Sequence, residues 1–352
     1  MFKKSLVLLL ALVFLSVFAL AGCSPGAPAA PEPAADAPAA DAPAAPEPSA
    51  EAEYVIRVGH TNAPDHYYQW GLEYFAERVA EKTDGRVEIL VFPADQLGGQ
   101  RQEVEGLMIG THDMVLVSTM VLSNFEPAIG AFDLPFLFSN REHAFKVLDG
   151  EIGDEVAAKF EDQGIKLLAY WENGYRYITN SVRPIVVPED VRGLKIRVPE
   201  SPVFLSTFTA MGAAATPMAF GEVFSALQLG TVDGQENPAG HVIHNAFYEV
   251  QDYISLTGHF YTAQPLAMSK DLYDSLPADI QQAIVEAAIE ARDYERQLSV
   301  ESEEDYLEQI AEHGMTILEV DIPAFQAAVQ PVYEEYEAQH GEMIRRIQAL
   351  DN

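Results

Sequence analysis

The stretch Gly193-Leu194-Lys195-Ile196-Arg197-Val198-Pro199 and the later motif Gln235-Glu236-Asn237-Pro238 are the most informative parts of this 352-residue chain. The first predicts a short apolar strand that carries a guanidinium. Charged side chains are almost never fully buried unless they are paired, and the strand contains no acid, because Glu200 comes only after Pro199. The arginine fork matches a carboxylate with two parallel hydrogen bonds, so an anionic ligand is a candidate partner of Arg197. The alternative is an arginine that points into solvent.

The N-terminus has the features of a secretory signal. Lys3 and Lys4 precede an apolar run from Leu6 to Phe18, and Leu20-Ala21-Gly22-Cys23 forms a small-residue cleavage site. The apolar run is too short for a membrane span. Residues 1–22 are therefore interpreted as a signal peptide.

Cys23 is the single cysteine of the chain and cannot form an internal disulfide. Its context resembles the bacterial lipobox, in which the cysteine is lipidated; the alternative is an ordinary cleaved signal with a free thiol. Residues 23–52 begin with Cys23 and otherwise consist of Ala, Pro, Asp, Glu, Ser and Gly, which predicts an extended tether. A lipid-anchored module outside the cytoplasm is expected, either in a periplasm or on the outer face of a Gram-positive membrane.

The charge balance excludes one class of partner. Asp and Glu number 54 against 21 Lys and Arg, a formal net charge of −33. Such an acidic chain is not expected to bind nucleic acid. An anion site on it must be locally positive.

The folded part predicts an α/β chain, because short apolar runs alternate with helical periodicity. Strands are predicted at Tyr54–Gly59, Arg86–Phe92, Asp113–Val117, Ile165–Tyr170, Leu194–Val198, Ile254–Leu256 and Pro265–Met268. Helices are predicted after Asp65, which is the expected N-cap, around Gln102–Ile109 and at Phe220–Leu227.

Two longer-range patterns indicate two lobes. A helical pattern runs from Pro277 to about His313, and a helix of that length, about 50 Å, would bridge two lobes with a ligand cleft between them. The segments Gly106–Asp113 and Ala226–Asp233 resemble each other. Their likeness indicates two α/β lobes of related build.

Motifs for catalysis are scarce. The sequence contains neither a phosphate-binding glycine-rich loop nor a serine elbow. His241 and His244 are three residues apart on a predicted helix, but two ligands do not make a metal site, and a surface or packing role is favoured. A secreted hydrolase or lyase that uses acidic cleft residues and a scaffolding lipoprotein are the alternatives to a binding protein.

Together, these motifs resemble a known family over roughly residues 53–345. In chain order they are Gln96-Leu97-Gly98, Asp133–Phe138, Arg176–Ser181, Gly193–Pro199, Thr216-Pro217-Met218, Val232–Pro238 and Phe247–Gln251. This series resembles the solute-binding subunits of tripartite ATP-independent periplasmic (TRAP) transporters, of the dicarboxylate-receptor (DctP) type.

The resemblance implies a two-lobed periplasmic-binding-protein-like fold, with a long helix spanning both lobes and a ligand cleft between them. Lobe I is expected to comprise residues 53–174 and 263–302, and lobe II residues 175–262 and 303–352. The expected activity is that of a receptor, not an enzyme, which passes a small organic acid to a membrane permease. No cofactor is expected, and the pattern favours a monomer.

The resemblance also implies the site. Arg197 is expected to hold the ligand carboxylate, Arg176 to make a second contact, Asn237 to bond an oxygen, and Phe220 to form an apolar wall. Both C4-dicarboxylates and sugar acids such as uronates suit this set. Four further residues are expected on loops that line the cleft: Trp171, Glu172, Asp65 and Gln100.

Overall fold

Two β-sheets form the framework of the protein, whose computed structural model describes residues 52–351. The predicted signal peptide, Cys23 and the tether before residue 52 lie outside the described residues. The strands in chain order are β1 (Tyr54–Gly59), β2 (Val87–Phe92), β3 (Met114–Leu116), β4 (Ile165–Tyr175), β5 (Tyr177–Asn180), β6 (Lys195–Val198), β7 (Ala214–Pro217), β8 (Gly234–Asn237), β9 (Tyr253–Ser255), β10 (Tyr261–Ser269) and β11 (Thr316–Leu318).

Each sheet belongs to one lobe. The first has the strand order β2-β1-β3-β10-β4, in which β1 is parallel to β2 and β3, and β10 is antiparallel to β3 and β4. The second has the order β11-β9-β5-β8-β6-β7, in which β6 is parallel to β7 and β8. Both sheets therefore contain a parallel core to which antiparallel strands are added.

Helices cover the sheets. The α-helices are α1 (Tyr67–Lys82), α2 (Gln100–Met108), α3 (Thr119–Leu122), α4 (Arg141–Leu148), α5 (Glu151–Glu161), α6 (Pro188–Val191), α7 (Pro202–Ala210), α8 (Val223–Gln228), α9 (Ala239–His244), α10 (Lys270–Ser275), α11 (Ala278–Glu312), α12 (Ile322–Ala328) and α13 (Gln330–Gln348). Short 3-10 helices lie at Pro127–Asp133, Phe220–Glu222 and Phe247–Glu249. None of the helices within residues 52–351 has the length and apolarity that crossing a bilayer requires.

The chain passes between the sheets at two adjacent points. Arg176 separates β4 of the first sheet from β5 of the second, and Phe260 directly precedes β10 on the way back. The amide of Arg176 donates to the carbonyl of Phe260 over 3.0 Å, which joins the two crossings. Arg176 therefore lies where the lobes meet.

Helix α11 links the lobes, and its 35 residues confirm the predicted long helix. It packs against α1 and β4, and also against α9 and β11, so it contacts elements of both sheets. Its buried positions are apolar from Ile280 to Ala291, become polar at Glu295, Arg296 and Ser299, and are apolar again at Tyr306 and Ile310.

The internal likeness of Gly106–Asp113 and Ala226–Asp233 has a common geometry. In each segment a helix ends and a glycine takes positive φ, 73° at Gly110 and 67° at Gly230. The amide of the following threonine then donates to a helix carbonyl over 2.9 Å, from Thr111 to Gly106 in the first segment and from Thr231 to Ala226 in the second. The two lobes thus repeat one helix-to-strand connection.

The prediction for Asp65 is wrong, and two elements are confirmed with different bounds or helix type. Asp65 does not cap α1, because His66 is the N-cap and its Nδ1 accepts from the amide of Tyr68 over 3.2 Å. The helix predicted at Phe220–Leu227 begins as a 3-10 helix before α8. The strand predicted to end at Tyr170 continues as β4 to Tyr175, so Trp171 and Glu172 lie in a strand and not in a loop.

The C-terminal helix α13 contacts elements on both sides of the predicted lobe division. Tyr333 donates to the carbonyl of Pro135 over 2.8 Å, and Ser206 donates to Glu335 over 3.1 Å. The lobe boundaries in the sequence remain a prediction.

Candidate functional site

A cavity of about 360 Å³ lies between the two sheets. Its walls come from the segments that follow β1, β2 and β3 on one side and β6 and β7 on the other, together with the end of β8. Ligands of α/β proteins bind at the carboxyl ends of parallel strands. Residues that line the cavity include Thr61, Asn62, Asp95, Gln100, Ser118, Asn173, Arg176, Arg197, Met218, Phe220, Asn237, His241 and Gln264.

Arg197 lines this cavity from β6 and is only 3% exposed. Its Nε and Nη2 both donate to the carbonyl of Met218, over 3.0 and 2.6 Å. No carboxylate among the described residues forms an ion pair with it, and burial lowers its pKa to about 10. The Phe220 ring centroid lies 6.0 Å from the guanidinium carbon. Arg197 is thus a buried cation that donates to a neutral carbonyl and not to a carboxylate.

Arg176 also reaches the cavity, but its charge is already compensated. Its Nε and Nη2 donate to the two carboxylate oxygens of Glu236 over 2.6 and 2.9 Å, and Nη2 donates to Asn237 Oδ1 over 2.8 Å. Burial opposes ionisation of Glu236, yet Arg176 and His259 bring its pKa below the ordinary value. The remaining Nη1 of Arg176 is buried without a partner within residues 52–351.

The predicted Gln100 lies at the cavity, at the first position of α2 and not in a loop. Its Oε1 accepts from the amide and the hydroxyl of Ser118, both over 2.8 Å. Its Nε2 donates to Thr61 over 3.3 Å. Asn173, Gln264 and Asn62 add further neutral polar groups, which sequence reasoning missed because isolated amides carry no motif.

Asp95 is an acidic residue of the lining that sequence reasoning also missed. It follows β2 and has a positive φ of 58°, next to Ala94 at 52°. Its Oδ1 is buried without a hydrogen-bond partner among the described residues, and burial raises its pKa to about 6. The neighbouring motif Gln96-Leu97-Gly98 belongs to the family resemblance, but it does not predict this turn.

His241 belongs to a buried histidine cluster beside the cavity. The ring of His66 lies 4.8 Å from that of His241 and 5.1 Å from that of His244, between centroids. Burial lowers the pKa of His241 well below its usual range, with further contributions from Arg176, His244 and Arg197. Within residues 52–351 no group of three or more His, Cys, Asp or Glu side chains is arranged to hold a metal.

Three predicted site residues lie elsewhere in the described part of the chain. Trp171 is fully buried, and a Cβ added at Gly71 would lie 2.8 Å from its ring. Glu172 is buried and accepts from Arg141 over 2.7 Å. Asp65 has a side chain that is 72% exposed and lies 3.4 Å from His244. None of these three lines the cavity, because β4 buries the first two in the core and Asp65 points outward.

Comparison with known proteins identifies the family. The sequence profile of the bacterial extracellular solute-binding proteins, family 7, matches residues 58–339. This chain belongs to that family. A solute-binding protein of Verminephrobacter eiseniae is 39% identical over 293 residues, 83% of this chain and 88% of the relative.

Solved structures of TRAP periplasmic solute-binding proteins share the fold. A TRAP periplasmic solute-binding protein from Polaromonas sp. JS666, bound to D-erythronate, has a TM-score of 0.83 and 39% identity over 85% of this chain and 99% of that one. Another such protein, from Sulfurospirillum deleyianum with bound succinate, has a TM-score of 0.81 and 35% identity over 85% of this chain and 99% of that one. The predicted two-lobed α/β architecture and the transport role are confirmed: this family 7 chain is a TRAP solute receptor and not an enzyme.

Proposed function

We propose that this receptor binds a small organic acid by fixing its carboxylate against Arg197, and that it delivers the acid to a TRAP membrane permease outside the cytoplasm. One observation carries the proposal: Arg197 is buried at the cavity and no carboxylate of the described residues pairs with it. An unpaired buried charge is costly, and a ligand carboxylate removes that cost with two charge-assisted hydrogen bonds. The acids bound by the Polaromonas and Sulfurospirillum relatives support the ligand class.

The other predicted contacts extend this proposal. Arg176 lines the cavity and its Nη1 has no hydrogen-bond partner among the described residues, which supports a second contact with a ligand oxygen, although Glu236 occupies the rest of that guanidinium. Asn237 and Gln100 supply amide groups, and Phe220 supplies an apolar wall beside the carboxylate.

The test is calorimetry of Arg197→Ala with a panel of organic acids. Removing one partner of a buried charge pair costs about 3–5 kcal/mol, so binding should weaken by more than about a hundredfold. Arg183→Ala is the matched control, because Arg183 also donates to backbone carbonyls, those of Asp190 and Arg192, over 2.8 and 2.7 Å. Wild-type affinity in the Arg197 variant would refute the site.

The membrane anchor is a separate part of the proposal. Cys23 in its lipobox-like context supports a lipid anchor, either in a periplasm or on the outer face of a cell membrane, and the receptor is proposed to be a monomer. Cys23→Ser is expected to move the protein from the membrane fraction to the soluble extract of its host, whereas Ser24→Ala leaves it with the membranes. A Cys23→Ser protein that still sediments with membranes would contradict the anchor.

A further inference from the structure

Of the three arginines that line the cavity, one has no ion pair among the described residues, and the acids Asp95, Glu200 and Glu222 line it as well. Arg176 is neutralised by its two-pronged contact with Glu236. Arg101 also lines the cavity, but its side chain is 50% exposed and pairs with Glu105 over 3.2 Å. Only Arg197 remains as a buried lining guanidinium without an ion pair within residues 52–351, so it is the group that the cavity offers to one ligand carboxylate.

Asp95 places a carboxylate in the same cavity. No ion pair to Asp95 forms within residues 52–351, and burial is the cause of its raised pKa. Its Oδ1 is a buried acceptor without a donor. A second ligand carboxylate beside this group would meet a like charge, whereas a ligand hydroxyl would supply the missing donor.

The backbone holds Asp95 in this position at a cost. Ala94 and Asp95 both adopt the left-handed region, with φ of 52° and 58°, and left-handed residues other than glycine cluster at functional sites. On the opposite wall, a Cβ added at Gly221 would lie 2.8 Å from Asp95 Oδ2. Asp95 therefore extends from the first lobe to the backbone of the second.

The remaining lining suits hydroxyl groups. Burial keeps His241 neutral, and its Nδ1 is buried without a partner in the described chain. Asn62 Nδ2 and Asn173 Oδ1 are likewise buried and unpartnered there. These groups donate to or accept from neutral hydroxyls without adding charge.

We propose that Asp95 is the specificity-determining residue of this receptor, and that it selects a hydroxylated monocarboxylate, a sugar acid, over a dicarboxylate. Arg197 fixes the single carboxylate, and Asp95 accepts from ligand hydroxyls. This inference rests on the proposed function and narrows its ligand class.

The experiment compares erythronate, galactonate, galacturonate, glucuronate and succinate by calorimetry at about pH 8, where Asp95 is ionised. Wild-type protein is expected to bind at least one of the sugar acids about tenfold or more tightly than succinate. Asp95→Asn keeps a residue that tolerates positive φ, and it should lower sugar-acid affinity and raise succinate affinity. The ratio of the two affinities should fall by about tenfold or more.

Asp84→Asn is the matched control, because Asp84 is an exposed aspartate with φ of 52° on the same lobe. Its affinity ratio should equal that of the wild type. Asp95→Ser removes the same charge and has a smaller side chain, so it replaces Asp95→Asn in the comparison if the asparagine variant does not fold. Succinate binding as tight as the best sugar acid, or an unchanged ratio in both Asp95 variants, would overturn the inference. If the Asp95 result overturned this inference but Arg197→Ala no longer bound any of the acids, the proposed function would still stand.

Discussion

Arg197 and Arg176 are both buried beside the cavity, and they differ in what their guanidinium groups contact. Arg176 shares its charge with Glu236, whereas Arg197 donates to the carbonyl of Met218. The family resemblance predicts both as ligand contacts, because it assigns a role to Asn237 and none to the adjacent Glu236. That neighbouring acid was the signal that could have separated the two arginines.

Arg197→Lys tests whether the planar fork matters beyond the charge. An ammonium is a point charge that cannot make the paired contact, so we expect the acid to bind at least about tenfold more weakly, a loss of about 1.4 kcal/mol. Calorimetry of the lysine and alanine variants side by side is the measurement. Equal binding by Arg and Lys would show that charge alone suffices.

Glu236→Gln tests the neutralising role of Glu236. The substitution leaves Arg176 as an uncompensated buried charge, and breaking a buried pair in this way costs about 3–5 kcal/mol of stability. It should also improve succinate binding relative to sugar acids, because a second cation then faces the cavity. Urea denaturation checks the stability, with Glu337→Gln in an exposed pair with Arg345 as control. No loss of stability would mean that the pair is not formed.

Glu103 gives the stability a pH dependence of defined sign. Burial, with a smaller contribution from Asp95, raises its pKa to about 9, and both carboxyl oxygens lack partners among the described residues. Between its ordinary value of 4.5 and about 9, the folded protein keeps a proton that the unfolded chain releases. The free energy of unfolding therefore falls as pH rises, by up to about 1.4 kcal/mol per unit.

The measurement is denaturation of wild type and Glu103→Gln at several pH values between about 6 and 9. The wild type should lose stability faster than the glutamine variant, which has no group to titrate at this position. Parallel curves would show that the Glu103 carboxyl is not held protonated by the fold.

At the scale of elements, α11 was predictable because apolar side chains recur along its buried face. Ile284 is fully buried on this face, whereas Ile289 of the same helix is 39% exposed. We expect Ile284→Ala to cost about 2–5 kcal/mol and Ile289→Ala less than about 0.5 kcal/mol. Chemical denaturation of both variants measures the difference, and equal losses would contradict the packing of this face.

Other elements escaped the sequence because their buried side chains are polar. β8, Gly234–Asn237, is fully buried without an apolar residue, so it has no hydrophobic pattern that would predict a strand. Its glutamate and asparagine instead bond Arg176. The turn at Ala94 and Asp95 was equally unpredictable, since the amino-acid sequence does not indicate that an alanine will adopt the left-handed conformation. Site residues depart from local rules because they serve the ligand or each other.

For the whole molecule, the long helical pattern and the internal likeness predict two lobes, and the resemblance predicts the same architecture, but none of them predicts how the strands pair. The pairing of β10 with both β3 and β4 joins distant segments, and no local pattern reports such a partner. The lobes also meet across the cleft, where Asn124 Nδ2 donates to the carbonyl of Glu200 over 2.6 Å. A ligand stabilises this closed arrangement only by contacting both lobes at once.

Asn124→Ala tests the closed arrangement without touching the ligand, because Asn124 is not part of the cavity lining. A hydrogen bond made only when the lobes meet contributes about 0.5–1.5 kcal/mol, so affinity should fall by about twofold to tenfold. The preference for sugar acids should not change, because Asp95 and Arg197 remain.

Small-angle scattering supplies the second readout for this variant. At a saturating concentration of acid, the Asn124→Ala protein should reach the wild-type radius of gyration. At a low concentration it should remain more expanded than the wild type, because its closed state has lost one contact across the cleft. Unchanged free energy of unfolding controls for damage to either lobe. An affinity equal to that of the wild type, with no expansion at low ligand, would show that the contact between Asn124 and Glu200 does not report closure.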